Sequence, residues 1–171
     1  MTLVGQVLMF FHVASAVAWM GGALLIAAVL FPTLWKMGSE ERGRFYAKIM
    51  PLLGPYMLFS SVLTLLFGGL LAYRLNGGDL AAFFAPWSAS SWGSWVSFGA
   101  VFGLAAFLVG EVYILPTAMR LERFVTKALA SPEGARWAEI DLLGRKLDRV
   151  ATASLALFVL ALIGMAGAAS V

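Results

Sequence analysis

His12 is the only histidine in the chain and the residue best suited to carry chemistry, and it lies within the first long apolar run. Imidazole changes its protonation near neutral pH and is the commonest metal ligand among side chains. An ionisable side chain inside a membrane span is unfavourable, so it is by default a functional hypothesis. Met9 lies one helical turn before His12, and Met20 lies on the same helix face. A neutral imidazole near a thioether suits copper(I) or haem iron.

Three interpretations of His12 follow. It ligates copper or haem, with Met9 or Met20 as a second ligand; it handles protons; or it is a structural histidine bonded to a serine or a backbone carbonyl between helices. Because the chain has one histidine, two-histidine ligation of haem within one chain is excluded. His–Met ligation, a five-coordinate haem and a homodimer stay compatible with the sequence.

Glu111 is the one acidic residue within a predicted span. Its carboxyl bonds to Trp19, Tyr56 or a small-residue helix face in an intramembrane polar site, or it reaches cytoplasmic water or Lys48. The alternative is that it relays protons. Glu111 precedes Pro116 by five residues, which places it near the inner end of its span, whereas His12 belongs to the outer half. The offset is about 22 Å along the helix axis. We therefore treat the two as separate features.

Several classes of chemistry are absent from the sequence. No cysteine is present, which excludes disulfides, thiolate ligands and iron–sulfur clusters. The glycines form neither a phosphate-binding loop nor a dinucleotide fingerprint, and no serine turn resembles a catalytic nucleophile. We predict no catalytic residue, and the sequence favours a non-enzymatic protein over an enzyme.

The elements that position these residues are membrane helices. The chain is 61% hydrophobic and 12% charged, and its apolar runs are long enough to cross a bilayer. They are continuous rather than alternating, which excludes strands. The sequence predicts an all-α, integral-membrane four-helix bundle that forms a single domain over residues 1–171. The predicted spans lie near residues 3–30, 51–73, 95–119 and 150–169.

The basic residues are distributed unevenly between the loops. Of 12 lysines and arginines, only Arg74 lies between the second and third spans. The others lie in the first loop (Lys36, Arg42, Arg44, Lys48) and in the third loop (Arg120, Arg123, Lys127, Arg136, Arg145, Lys146, Arg149). The positive-inside rule then places these two loops in the cytoplasm and both termini outside a bacterial inner membrane. We expect the basic residues to meet anionic lipid rather than nucleic acid.

The second and third loops contain patterns that predict local structure. In the third loop, a helical pattern over residues 120–130 and a new helix start at Ser131-Pro132-Glu133, supported by an Asp141–Arg145 pair, predict a cytoplasmic helical hairpin. In the second loop, residues 76–79 predict a turn. The aromatic residues over 83–95 that follow predict an interfacial belt or a surface that docks a partner.

Two proline segments suggest an internal repeat. Residues 30–33 (Leu-Phe-Pro-Thr) and 114–117 (Ile-Leu-Pro-Thr) each end a span and lead into a basic helix. Both precede a span that runs outward, so the halves would be two parallel two-helix repeats. A chance match is the alternative. We expect Pro32 to disrupt the first helix.

The segment over residues 11–22, together with residues 28–32, 44–51 and 146–149, resembles a group of small four-helix bacterial membrane proteins. That group includes the CopD-type copper-resistance domain, its uncharacterised relatives and the four-helix protoporphyrinogen oxidase. The resemblance implies copper handling through His12, or haem associated with that histidine. The oxidase also has a lysine in its third helix, and the third span here has none, which counts against that activity.

These observations predict a protein that binds copper or haem through His12 in metal or haem homeostasis. The first alternative is an accessory or structural subunit of a larger respiratory or photosynthetic membrane complex. The second alternative is a haem-pathway oxidoreductase. The expected partners are the lipid bilayer and either a second copy of the chain or such a complex, without nucleic acid.

Overall fold

The computed structural model describes residues 2–75, 77–78, 90–131, 133 and 136–170, and most of these are helical, with no strand among them. Four helices are long and apolar enough to cross a membrane: Leu3–Leu34, Ser39–Leu75, Ser91–Ala130 and Trp137–Ala169. Each predicted span lies within one of these helices. The prediction of an all-α chain with four helices able to cross a bilayer is therefore confirmed.

The helices are subdivided by two short π-helical turns. In chain order the elements are α1 (Leu3–Leu25), a π turn (Ile26–Leu30), α2 (Phe31–Leu34), α3 (Ser39–Leu75), α4 (Ser91–Leu108), a second π turn (Val109–Ile114), α5 (Leu115–Ala130) and α6 (Trp137–Ala169).

The first long helix, Leu3–Leu34, ends two residues after Pro32, close to the predicted end, whereas Pro116 lies inside the continuous helix Ser91–Ala130. A proline removes one N–H donor and crowds the carbonyl four residues before it. In both places a wider π turn precedes the proline and makes room for the ring. The next residue compensates in the same way, since the hydroxyl of Thr33 donates to the Val29 carbonyl (2.7 Å) and that of Thr117 to the Tyr113 carbonyl (2.6 Å).

The chain forms two compact units. The first unit comprises Met1–Met20, Phe59–Phe107 and Ala156–Val171, and the second comprises Gly21–Leu58 and Leu108–Leu155. In the first unit α4 and α6 cross closely: a Cβ added to Gly164 would lie 2.5 Å from the Cα of Gly99. Lipid chains are as apolar as leucine, so helices in a membrane rely on such small residues for close packing.

The second unit contains the hydrophobic core. Its largest fully buried side chains are those of Tyr46, Phe31, Leu34, Leu121, Leu147 and Val125. Several of them belong to amphipathic segments, such as α5, which carry charged residues on the opposite face. In water the hydrophobic effect drives the apolar face of such a segment into a core, whereas lipid provides no comparable driving force.

In the third loop, the predicted helix over residues 120–130 is confirmed, since α5 continues to Ala130. Helix α6 begins at Trp137, and the predicted helix start at Pro132 lies outside the described residues. The intrahelical pair between Asp141 and Arg145 does not form, because Asp141 pairs with Arg42 instead.

The predicted second-loop turn is present where the structure describes it. Gly77 and Gly78 have φ values of 69° and 86°, a backbone conformation that favours glycine. The N–H of Gly78 donates to the Tyr73 carbonyl (3.0 Å) and closes the end of α3. The predicted roles of Asn76, Asp79 and the aromatic residues over 83–87 lie outside the described residues.

Candidate functional site around His12

His12 is held by one ring nitrogen in the first unit. The Nδ1 atom of His12, on α1, lies 2.9 Å from the backbone carbonyl oxygen of Thr64, on α3. A carbonyl oxygen only accepts hydrogen bonds, so Nδ1 carries the proton and donates. In the neutral imidazole, Nε2 then carries the lone pair. The prediction that His12 bonds to a backbone carbonyl is confirmed for this one nitrogen.

Gly68 is the reason that the ring can reach this carbonyl. Residues four apart lie above one another on a helix, so a side chain at position 68 would stand beside the carbonyl of Thr64. A Cβ added to Gly68 would lie 2.8 Å from Cε1 and 2.9 Å from Nδ1 of His12. The imidazole thus occupies the space that a larger residue would fill.

Neighbouring contacts fix the helices on either side of the ring. Phe11 and Phe67 stack with ring centroids 5.1 Å apart and an interplanar angle of 20°. The buried hydroxyl of Ser15 donates to the carbonyl of Phe11 at 2.6 Å. The Thr64 hydroxyl donates to the carbonyl of Ser60 at 2.7 Å. Because these hydroxyls bond to their own helices, they do not engage the second nitrogen of His12.

The Nε2 atom of His12 is therefore available to a ligand. Within the described residues it makes no hydrogen bond, and it is not among the polar atoms sealed from the surface. Histidines that ligate metals characteristically donate their other N–H to a carbonyl or carboxylate, which fixes the tautomer and makes the ligating nitrogen more basic. The contact between His12 and Thr64 has this form.

The two predicted methionine partners differ in their distance from His12 along α1. Met20 lies eight residues further on, about 12 Å along the axis, which is too far for the two side chains to share one metal ion. Met9 lies one turn before His12 and is 38% exposed. Within the described residues, no three histidine, cysteine, aspartate or glutamate side chains form a group able to hold a metal ion.

The residues of the predicted polar site are divided between the two units. Trp19 is buried in the first unit, edge-on to the rings of Phe158 (4.8 Å between centroids) and Phe107 (6.4 Å). Tyr56 and Glu111 belong to the second unit. Glu111 lies in the second π turn, a helix form often found at functional sites. A shared site of Glu111, Trp19 and Tyr56 stays a prediction.

A polar cluster in the second unit was not predicted from the sequence. The guanidinium of Arg42, buried in this cluster, forms an ion pair with Asp141 and donates to the Met37 carbonyl at 3.0 Å. The hydroxyl of Ser39 donates to the same aspartate at 2.6 Å. This cluster joins the chain after α2, the start of α3 and α6.

Trp35 extends the cluster with its indole ring. The Cζ atoms of Arg42 and Arg145 lie 4.5 and 4.3 Å from the ring centroid. The indole N–H donates to Asp148 at 2.8 Å. Gly144 gives the ring space, since a Cβ there would lie 3.2 Å from it. Asp141, Arg145 and Asp148 lie on one face of α6. This helical spacing is the one signal in the sequence that could have indicated a shared partner.

No family model matches this chain, and neither a curated protein nor a solved structure shows significant similarity to it. The geometry at His12 is therefore the feature of the described residues from which a function can be inferred.

Proposed function

We propose that this protein is a multi-pass membrane protein that binds a metal centre through Nε2 of His12. The observation that carries the proposal is the 2.9 Å hydrogen bond from Nδ1 of His12 to the Thr64 carbonyl. Because this hydrogen bond keeps the proton on Nδ1, the lone pair of the neutral imidazole lies on Nε2. Histidines that ligate metals commonly have this tautomer.

Haem suits this donor set better than a bare copper ion does. A porphyrin supplies four nitrogen ligands of its own and would need as little as one more from the protein, which a single histidine provides in several haem proteins. A copper ion held by one imidazole needs further protein ligands, and Met9 is the methionine of α1 that lies within one turn. When bound, haem would supply electron transfer or gas-ligand chemistry at its iron.

Each nearby residue then has a defined part. His12 would hold the iron, and the Thr64 carbonyl would orient the imidazole and increase its basicity. Gly68 would leave space for the ring, and Ser15 and the Phe11–Phe67 stack would hold the two helices in place. Copper bound through His12, with Met9 as a second ligand, is the other form of the same proposal.

The wider setting is a bacterial inner membrane, with the four helices packed as a bundle, the first and third loops in the cytoplasm and a role in metal or haem homeostasis. The lysines and arginines support this orientation, since the second loop has only Arg74. The matching structures at Pro32 and Pro116 support a chain built from two parallel two-helix repeats. The resemblance of the first helix to CopD-type proteins supports the metal-related role.

The test is a haem titration of the detergent-purified protein, followed by visible absorption. We expect one haem per chain with a Soret band that His12→Ala abolishes. Gly68→Ala should weaken haem binding by about 10- to 100-fold, the usual effect of disturbing the residues behind a metal ligand. Gly69→Ala is the matched control, because nothing lies within 4 Å of a Cβ at that position, and it should bind haem as the parent protein does.

Haem binding that survives His12→Ala would contradict the proposal. Equal losses in the Gly68 and Gly69 variants would show that helix packing, and not the position of His12, controls binding. A copper content lost in His12→Ala, without a Soret band, would identify copper as the metal. If the protein instead binds neither metal and purifies with other membrane chains, the accessory-subunit alternative is supported.

A further inference from the structure

Two adjacent basic residues of α6 lie over aromatic rings in the second unit. The Cζ atom of Arg145 is 4.3 Å from the ring centroid of Trp35, and Nζ of Lys146 is 5.9 Å from that of Tyr113. Both basic side chains are exposed. The rings restrict where the two cationic groups can lie and leave their N–H donors accessible.

Neither cation has an acidic partner within ion-pair distance in the described part of the chain. The ion pairs there involve Arg42, Arg44 and Arg136. Asp148, the nearest acid after Lys146 on α6, accepts hydrogen bonds from the Trp35 indole (2.8 Å) and from the Thr152 hydroxyl (3.2 Å). The charges of Arg145 and Lys146 are thus left to an external anion.

The position of these residues along α6 indicates which anion that is. They lie just before the apolar stretch of α6, which begins at Val150, and the exposed Arg149 adds a third cation on the next turn. Tryptophan and tyrosine concentrate at the boundary between lipid and water. Side chains at this level meet phospholipid headgroups, and basic clusters directly beside a span bind anionic ones.

We propose that Arg145, Lys146 and Arg149 bind the phosphate of an anionic phospholipid headgroup, with Trp35 and Tyr113 holding the first two cations in place. A guanidinium presents several N–H donors and an ammonium presents three, and phosphate oxygens accept hydrogen bonds from both groups. An acidic soluble protein suits this site less well, because the rings and the adjacent span place it at the lipid surface. This proposal is independent of metal binding at His12.

The test is native mass spectrometry of the full chain in detergent, titrated with phosphatidylglycerol or phosphatidylcholine. We expect the parent protein to retain phosphatidylglycerol preferentially. The variant Arg145→Gln/Lys146→Gln should bind it roughly 25-fold more weakly, about fivefold for each cation. The control variant Arg44→Gln/Arg136→Gln removes the same number of charges from exposed residues that already have acidic partners, and it should bind as the parent does.

A third variant tests the aromatic contribution without changing charge. Tyr113→Leu removes the ring beneath Lys146 and should weaken phosphatidylglycerol binding by about two- to fivefold. Unchanged binding in Arg145→Gln/Lys146→Gln, or an equal loss in the control, would overturn the proposal. Displacement of the lipid by millimolar inorganic phosphate would show a site for free phosphate instead. Binding of an acidic peptide in preference to the lipid would likewise overturn it and point to a protein partner.

Discussion

Asp141→Ala is expected to lower the free energy of unfolding by about 3 kcal/mol or more, the usual effect of removing one partner from a buried ion pair. Arg42 is only 4% exposed, and without Asp141 its guanidinium stays buried next to neutral groups. The variant also removes the acceptor of the Ser39 hydroxyl. Denaturant unfolding in detergent micelles, followed by circular dichroism, measures the change.

Two comparisons make the interpretation of Asp141→Ala specific. Glu40→Ala breaks an exposed pair with Arg44 and should change the unfolding free energy by only about 0.5 kcal/mol. The double variant Arg42→Met/Asp141→Leu leaves no buried charge and should recover much of the lost stability. If Asp141→Ala proves as mild as Glu40→Ala, the cluster does not contribute in the way described.

Gly164→Ala is the second substitution with a large expected effect. The new methyl group would lie 2.5 Å from the Cα of Gly99 and 3.0 Å from the Trp95 carbonyl oxygen. These are backbone atoms, so α4 and α6 would have to move apart, and overpacking of this kind costs about 1–3 kcal/mol or more. The same unfolding measurement applies.

Gly103→Ala on α4 is the matched control, because nothing lies within 4 Å of a Cβ at that position. Alanine is the better helix former, so this variant should be neutral or more stable by up to about 1 kcal/mol. A Gly164→Ala protein as stable as Gly103→Ala would show that the two helices do not approach as closely as described.

The four long helices were predictable from the sequence because continuous apolar runs are the strongest local signal in a chain. The ends of the helices were less predictable. Pro116 lies well inside a helix because a π turn accommodates it, and nothing in the local pattern distinguishes that outcome from termination.

His12 was identified as the candidate ligand from its type and position, and a bond to a backbone carbonyl was among the predicted interpretations, but the particular carbonyl was not predicted. The contact with Thr64 joins residues 52 apart in sequence and depends on how α1 and α3 align. The contribution of Gly68, which is to leave space for the imidazole, depends on that same alignment.

The cluster around Arg42 was not predicted from the sequence for a related reason. Asp141 and Arg145 have the spacing of an intrahelical pair, and sequence spacing alone favours that pair. In the structure Asp141 pairs with Arg42, and Arg145 lies over Trp35. An unpaired buried guanidinium is more unfavourable than an unpaired exposed one, so Asp141 pairs with Arg42 rather than with Arg145.

The most direct test of metal binding at His12 is nitrogen NMR of the protein labelled with ¹⁵N-histidine. Since the chain has one histidine, its two ring nitrogens give the only imidazole signals. We expect a protonated Nδ1 and an unprotonated Nε2 in the metal-free protein, with the Nε2 signal shifted or broadened when haem is added. A proton on Nε2, or signals that haem leaves unchanged, would contradict the assignment of His12 as the metal ligand.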